Sequence, residues 1–230
     1  IVILTCYDYS TAKILNESSL DALLVGDSLA MTMHGFKDTI MATLLMMELH
    51  TAAVSRGAPA KFIITDLPFL SYRQSLSRSV IAAQKLMQAG AQAIKLEGAA
   101  GNLSLIAHLV ESGIPVMGHI GLTPQFIHTL GGYKVQGKTV AQAERLKQDA
   151  LALEQAGCFA IVLECVPSQL AKEITASLKI ATIGIGAGVD TDGQVLVMQD
   201  LLGLNLDFKP KFVNQFLDGN QLIRKAVDHY

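Results

Sequence analysis

The chain has 230 residues, 50% of them hydrophobic and 17% charged, enough apolar material for one well-buried domain and close to the length that closed α/β barrels use as a single unit. The 18 basic and 20 acidic residues leave a net charge of -2 with the basic ones scattered, which excludes the clustered charge that tracks a nucleic acid. No apolar stretch reaches the roughly 20 residues that a bilayer crossing needs, since even residues 20–36 are interrupted by Asp21, Asp27 and His34, so membrane spanning is excluded too.

In chain order, short β-branched or apolar runs alternate with stretches of helical period. A first strand is expected over 1–6. It opens on Ile1 inside an apolar run with neither an initiator Met nor a signal peptide, from which residues before it are expected. A second strand over 22–25 runs into Asp27 and Ser28, and a helix follows over 41–56, stopped near Gly57. The third strand, 61–65, ends on Asp66, and a helix over 77–89 closes at Gly90. The fourth, 93–96, delivers Lys95 and Glu97 and leads to a helix over 101–112. A fifth over 116–118 is followed by His119, and a helix spans 139–155. The sixth, 159–163, ends on Glu164 before a helix over 169–178. A seventh over 181–184 leads into GIGAG at 184–188 and a helix through 195–201, and an eighth strand falls at 202–206. Strands alternating with helices demand parallel pairing through crossovers, which leaves a closed (β/α)8 TIM barrel or an open doubly wound sheet. Seven or eight units favour closure. No linker or low-complexity tract divides residues 1–230, which are expected to form one domain.

An isolated Asp after a strand is most often a cap or turn residue. Recurrence changes that reading for Asp27, Asp66, Glu97 and Glu164, because in a barrel all strand C-termini share one rim. Three carboxylates from the second, third and fourth strands repel one another unless a cation joins them, and oxygen-only ligands select Mg2+. Lys95 lies two residues before Glu97, so alternation places both on the face toward the mouth, where the lysine serves either as a structural partner or as a fixed cation for a substrate carboxylate or oxyanion. His119 is a candidate hydrogen-bonding group, while His34, His50, His108 and His128 receive no chemistry. GIGAG is compatible with an anion site at a helix N-terminus or with simple close packing. The cluster Met31, Met33, Met41, Met46 and Met47 reads as core or subunit-contact filling. Cys6, Cys158 and Cys165 are odd in number and lack metal-ligand spacing, which fits packing roles in a reducing cytoplasm.

The strings TCYDYSTA, LLVGDSLAM, TDLPF, IKLEG, MGHIGLTPQ, GGYKVQG, LALEQAG, VLECVP, IGIGAG and DGQVLVMQDLLG occur in this order from residue 5 to about residue 212. Together they resemble the ketopantoate hydroxymethyltransferase family, whose members are barrels similar to the phosphoenolpyruvate mutase and isocitrate lyase group. The resemblance implies transfer of a one-carbon unit from 5,10-methylenetetrahydrofolate to 3-methyl-2-oxobutanoate. It implies Mg2+ held by Asp27 and Asp66 with Glu97 completing its surroundings, keto-acid contacts from Ser28 and Lys95, and Glu164 as proton acceptor. His119 and Tyr7 take further polar positions near the substrate, and a large homo-oligomer, a decamer, is implied. Ala30 stands where the family usually has Gly, and residues 38–54 replace a more polar stretch, which bears on packing or assembly more than on chemistry. Two rivals remain: a lyase or mutase of the phosphoenolpyruvate mutase group, whose KKCGH-type loop this chain lacks, and a noncatalytic barrel, which should have lost some of the five residues Asp27, Asp66, Lys95, Glu97 and Glu164.

Overall fold

Eight parallel strands pair in chain order and close on themselves, the eighth returning to the first. The computed structural model describes residues 1–206 and 209–230. Strands and helices run β1 (Val2–Thr5), α1 (Tyr9–Asn16), β2 (Ala22–Val25), α2 (Leu29–Thr32), α3 (Leu44–Gly57), β3 (Phe62–Asp66), α4 (Leu76–Gln88), β4 (Ala93–Lys95), α5 (Leu103–Glu111), β5 (Val116–Gly121), α6 (Ile127–Leu130), α7 (Val140–Gln155), β6 (Ala160–Glu164), α8 (Ser168–Ser177), β7 (Ala181–Ile185), β8 (Gly193–Leu196), α9 (Met198–Leu201) and α10 (Gly219–His229). The expected (β/α)8 barrel is what the chain forms.

Strand alternation sorts the apolar residues into two cores. Ile3, Ala22, Leu24, Ile64, Ala93, Met117, Ala160, Val162, Ile183 and Val195 fill the barrel itself. Their strand neighbours Leu23, Val25, Ile63, Ile94, Val116, Ile161 and Leu163 point outward against Val54, Leu86, Leu109, Leu153 and Ile174 of the helices. Helix starts follow local hydrogen bonding: Thr43 caps α3 through Met46 N, Ser75 caps α4 through Arg78 N, and Thr139 forms a capping box with Gln142 at α7. The Thr43 cap corrects the expected start of α3 at residue 41, since Thr39–Met41 forms a separate 3-10 turn.

The eighth unit departs further from expectation. Residues 202–206 form no strand, and Val195, expected in a helix, lies in β8, which pairs with β7 on one side and β1 on the other. Residues 186–192 join two parallel strands without a helix, so the pattern that marks the other units is missing there. The loop after β7 therefore leads into a strand, and the anion site expected at a helix N-terminus has no helix to sit on. Its glycines serve close packing: a Cβ on Gly186 would lie 2.8 Å from the Phe212 ring, and one on Gly188 2.5 Å from Ser168 Cβ.

Gly121 has φ +93, and a Cβ there would lie 2.3 Å from the Glu164 carbonyl oxygen, its register partner on β6. The neighbour is backbone and cannot swing aside, so Gly121→Ala forces a main-chain shift. We expect a loss of about 2 kcal/mol, seen as a melting temperature lower by roughly 4–8 °C. An unchanged melting temperature would show that the close approach is not a constraint.

Candidate active site

The inward-facing row of each strand changes character toward its C-terminus. Below lie Ile64, Ala93, Met117 and Val162; two residues further along the same faces stand Asp66, Lys95, His119 and Glu164. Register sets Asp66 beside Lys95, and the two pair at 2.9 Å with both side chains almost wholly buried. Glu97 continues the inward parity of β4, and Asp27 follows β2, the strand opposite β6 in a barrel of eight. His119 lies within β5 and not after it as expected, because that strand continues to Gly121.

Each of the three grouped carboxylates commits one oxygen to a protein N–H. Asp66 Oδ2 accepts from Asp27 N (3.0 Å), Asp27 Oδ2 from Gln125 Nε2 (2.8 Å), and Glu97 Oε2 from Gln125 N (3.0 Å). Asp66 Oδ1 faces Lys95, and Glu97 Oε1 lies 3.6 Å from His119 Nδ1. Burial first, and repulsion from Asp66 second, push the Asp27 carboxyl up to about 7; burial and then Asp27 hold Glu97 well above the usual carboxylate range. Burial alone would lower the Lys95 ammonium, but Asp66, Glu97 and Asp27 together raise it above its ordinary value. His119 moves the other way, lowered by burial and then by Lys95. A neutral imidazole results. Its Nδ1 lies 3.3 Å from Lys95 Nζ and accepts from the ammonium, which assigns the remaining proton to Nε2, 3.2 Å from Glu164 Oε2.

Ser28 and Tyr7 form a hydroxyl pair at 2.8 Å, with burial pushing the Tyr7 phenol up to about 12 so that it stays a donor. His50, left without chemistry in the sequence, bonds to the Tyr7 carbonyl through Nδ1 and contacts His34. The fold thus brings Asp27, Ser28, Asp66, Lys95, Glu97, His119, Glu164 and Tyr7 to one mouth. Sequence reasoning missed Gln125, Tyr72 and Asn102. Tyr72 donates to Gln125 Oε1 at 2.7 Å, and Asn102 Nδ2 donates to the carbonyls of Glu97 and Gly98 at 3.0 and 2.8 Å. All three are buried. Gln125 stands inside the quoted string MGHIGLTPQ, directly after a strand-end motif; Tyr72 and Asn102 had no such signal.

Cys6 and Cys158 are buried in the core, in keeping with packing roles, whereas Cys165 is half-buried at the end of β6. Burial raises Cys6 to about 11 and Cys158 and Cys165 to about 12, so each stays a thiol. Cys165 has φ +47, in the left-handed region, turning the chain sharply off the end of β6. Of the methionine cluster, Met47 is core, while Met33 and Met41 are exposed. No helix among the described residues is long and apolar enough to cross a membrane.

Comparison with known proteins places the fold and the family. Among solved structures, the barrel is similar to 2,3-dimethylmalate lyase, a member of the PEP mutase/isocitrate lyase superfamily, with TM-score 0.67, 16% identity and coverage of 100% of this chain and 81% of that one. It is similar also to phosphoenolpyruvate phosphomutase from Streptomyces platensis subsp. rosaceus, with TM-score 0.69, 10% identity and coverage of 100% and 82%. These likenesses show the fold alone. Curated 3-methyl-2-oxobutanoate hydroxymethyltransferases are far nearer in sequence: that of Coxiella burnetii is 61% identical over 231 residues, covering 100% of this chain and 87% of its own. That of Bdellovibrio bacteriovorus is 59% identical over 230 residues, covering 100% and 88%, and that of Francisella tularensis 56% identical, covering 100% and 87%. The sequence model of ketopantoate hydroxymethyltransferase matches residues 1–230, and with these relatives it shows that the chain belongs to that family of enzymes.

Proposed function

We propose that the chain transfers a hydroxymethyl group from 5,10-methylenetetrahydrofolate to 3-methyl-2-oxobutanoate, giving 2-dehydropantoate for pantothenate synthesis, with Mg2+ held among Asp27, Asp66 and Glu97. The observation that supports it is a set of crowded carboxylates around one ammonium, facing across the mouth a further carboxylate, Glu164, that lies 3.2 Å from a neutral histidine. The donor set fits the ion. Among the described residues no three His, Cys, Asp or Glu side chains form a ready-made cage. Mg2+ does not require one, because it is commonly held by one or two carboxylates with water and substrate oxygens filling the rest of its octahedron. Burial first, and carboxylate repulsion second, raise the Asp27 and Glu97 carboxyls, and a bound cation would relieve the second of these.

When bound, Mg2+ would supply Lewis-acid polarisation of the keto acid's carbonyl. The chain's own groups do the rest. Lys95 places a fixed cation beside the developing enolate oxygen, and Ser28 and Tyr7 offer hydroxyl donors to the substrate's polar atoms. Glu164 takes the C3 proton, with His119 Nε2 3.2 Å from its carboxylate. Carbon C3 then bonds to the folate methylene carbon, both C–N bonds that hold that carbon in the folate break, water supplies the hydroxyl oxygen, and the two folate nitrogens take up the proton from C3 and one from the water. Apolar side chains left exposed on α1 and α3 (Ile14, Leu45, Leu49) and on α10 (Leu222, Ile223, Val227) support assembly into a homo-oligomer.

Asp27→Asn should abolish detectable Mg2+ binding by titration calorimetry with little change in the folded state, since a rim carboxylate adds little to the apolar core. Wild-type Mg2+ affinity in that variant would remove Asp27 from the metal site. The same residue predicts a pH signature without metal. Its folded value of about 7 lies above the ordinary 3.8, so the folded chain retains a proton that the unfolded chain releases, and Asp27 costs stability as pH rises through that window. In chelator the melting temperature of Asp27→Asn should gain on the wild type between pH 4 and 7; parallel curves would contradict the buried, repelled carboxyl.

Glu164→Gln should retain Mg2+ and keto-acid binding but lose roughly 100-fold or more in turnover, the usual effect of removing a positioned base. Exchange of the C3 hydrogen of 3-methyl-2-oxobutanoate with deuterated water isolates the step, because it needs neither folate nor carbon–carbon bond formation. Wild-type exchange in the variant would assign the base elsewhere.

A further inference from the structure

Gln125 touches two arms of the carboxylate cluster, one through its backbone and one through its side chain. Its backbone N–H donates to Glu97 Oε2 at 3.0 Å, and its side-chain Nε2 donates to Asp27 Oδ2 at 2.8 Å and to the Leu67 carbonyl at 2.9 Å. The amide can face only one way. Two acceptors surround Nε2, whereas Oε1 meets the Tyr72 hydroxyl at 2.7 Å, and a flipped amide would set its oxygen against a carboxylate and a carbonyl. Tyr72 is itself fixed, its ring under the Arg73 guanidinium at 5.6 Å and its hydroxyl 3.3 Å from the Glu97 carbonyl. Gln125 is 3% and Tyr72 3% exposed, so neither reaches solvent for another purpose.

We infer that Gln125, locked by Tyr72, is a positioning residue for the metal site: its two N–H groups bind one oxygen each of Asp27 and Glu97 and so fix how both carboxylates present their other oxygen to the mouth. This rests on the proposed Mg2+ site. A neutral amide suits the position, because it satisfies Asp27 Oδ2 without competing as a charge, whereas a lysine there would neutralise the cluster and displace the need for a metal. A carboxylate's last torsion is broad unless a hydrogen bond holds one of its oxygens, so removing this donor spreads Asp27 over orientations that do not suit an octahedral ion.

The variant Gln125→Met keeps side-chain length and the backbone N–H to Glu97 while deleting the donor to Asp27. Mg2+ affinity of the metal-free protein, measured by titration calorimetry, should fall roughly 10–100-fold, as for other groups that orient metal ligands. Keto-acid C3 exchange at low Mg2+ should fall with it and recover at saturating Mg2+, a rescue that a merely damaged fold would not give. Tyr72→Phe keeps every contact to the carboxylates and removes only the group that locks the amide; it should weaken Mg2+ in the same direction by a smaller factor, with the same rescue. Wild-type Mg2+ affinity in both variants overturns the inference, as does a loss of exchange that added Mg2+ does not restore in Tyr72→Phe. A wild-type protein that itself binds no Mg2+ and exchanges C3 hydrogen equally well in chelator would instead overturn the metal reading on which the inference stands.

Discussion

A single buried ammonium, Lys95, stands among more carboxylates than it can neutralise. Asp66 pairs with it directly, Asp27 and Glu97 lie close enough to raise its affinity for the proton, and His119 adds no charge because burial keeps it neutral. Much of the rim answers to this imbalance. Gln125, Asn102 and the Asp27 backbone N–H bring dipoles to carboxylate oxygens and nearby carbonyls, satisfying polar groups that the surrounding protein has shut off from water. Dipoles relieve only part of the deficit, and the Asp27 and Glu97 carboxyls stay raised above the usual carboxylate range.

Such a cluster needs a frame that does not relax, and the barrel supplies it through register. Asp66 is fixed beside Lys95 because β3 and β4 pair at that row, and the small residues Ala22, Ala93 and Ala160 below alternate with Ile64, Met117 and Ile183 to fill the interior densely. Closure also sets two groups of carboxylates apart. Asp27, Asp66 and Glu97 stand at the ends of β2 to β4 and Glu164 at the end of β6, so the two groups face each other across the mouth. The dimethylmalate lyase and phosphomutase structures show that the same frame recurs at 10–16% identity, so the frame alone does not choose the reaction. The rim residues do.

How far this was legible in the sequence follows from the range of each interaction. The alternation of buried runs with helical stretches is local, and it placed β1 to β7 within a few residues; carboxylates at strand ends inherit that reliability, which is why Asp27, Asp66, Glu97 and Glu164 were found together. The eighth strand was missed because GQVL is short, opens on glycine and is joined to β7 without a helix, so its partners, Ile183 and Ile3, lie in strands that local pattern cannot connect to it. Gln125 and Tyr72 carry neither period nor charge. Their significance lies in contacts that span 98 residues to Asp27 and 53 residues between one another, which only the closed barrel brings within reach.

The strain beside Glu164 belongs to the same logic. Cys165 adopts φ +47 although a side chain disfavours that region, and across the sheet Gly121 has φ +93 at the point where its neighbour's carbonyl comes closest. Between them the Glu164 backbone is gripped from both sides: its carbonyl accepts from Leu122 N at 2.8 Å, and the following N–H donates to the Ile185 carbonyl at 2.9 Å. A carboxylate on an ordinary loop would follow the motions of that loop. Here the chain leaves β6 by one abrupt turn, so Glu164 remains on the rigid strand to its last atom of backbone while its side chain, 17% exposed, reaches the mouth beside His119. The cost of an unfavourable φ at Cys165 is about 1–3 kcal/mol, which the pairing of β6 with β5 and β7 on either side has to offset.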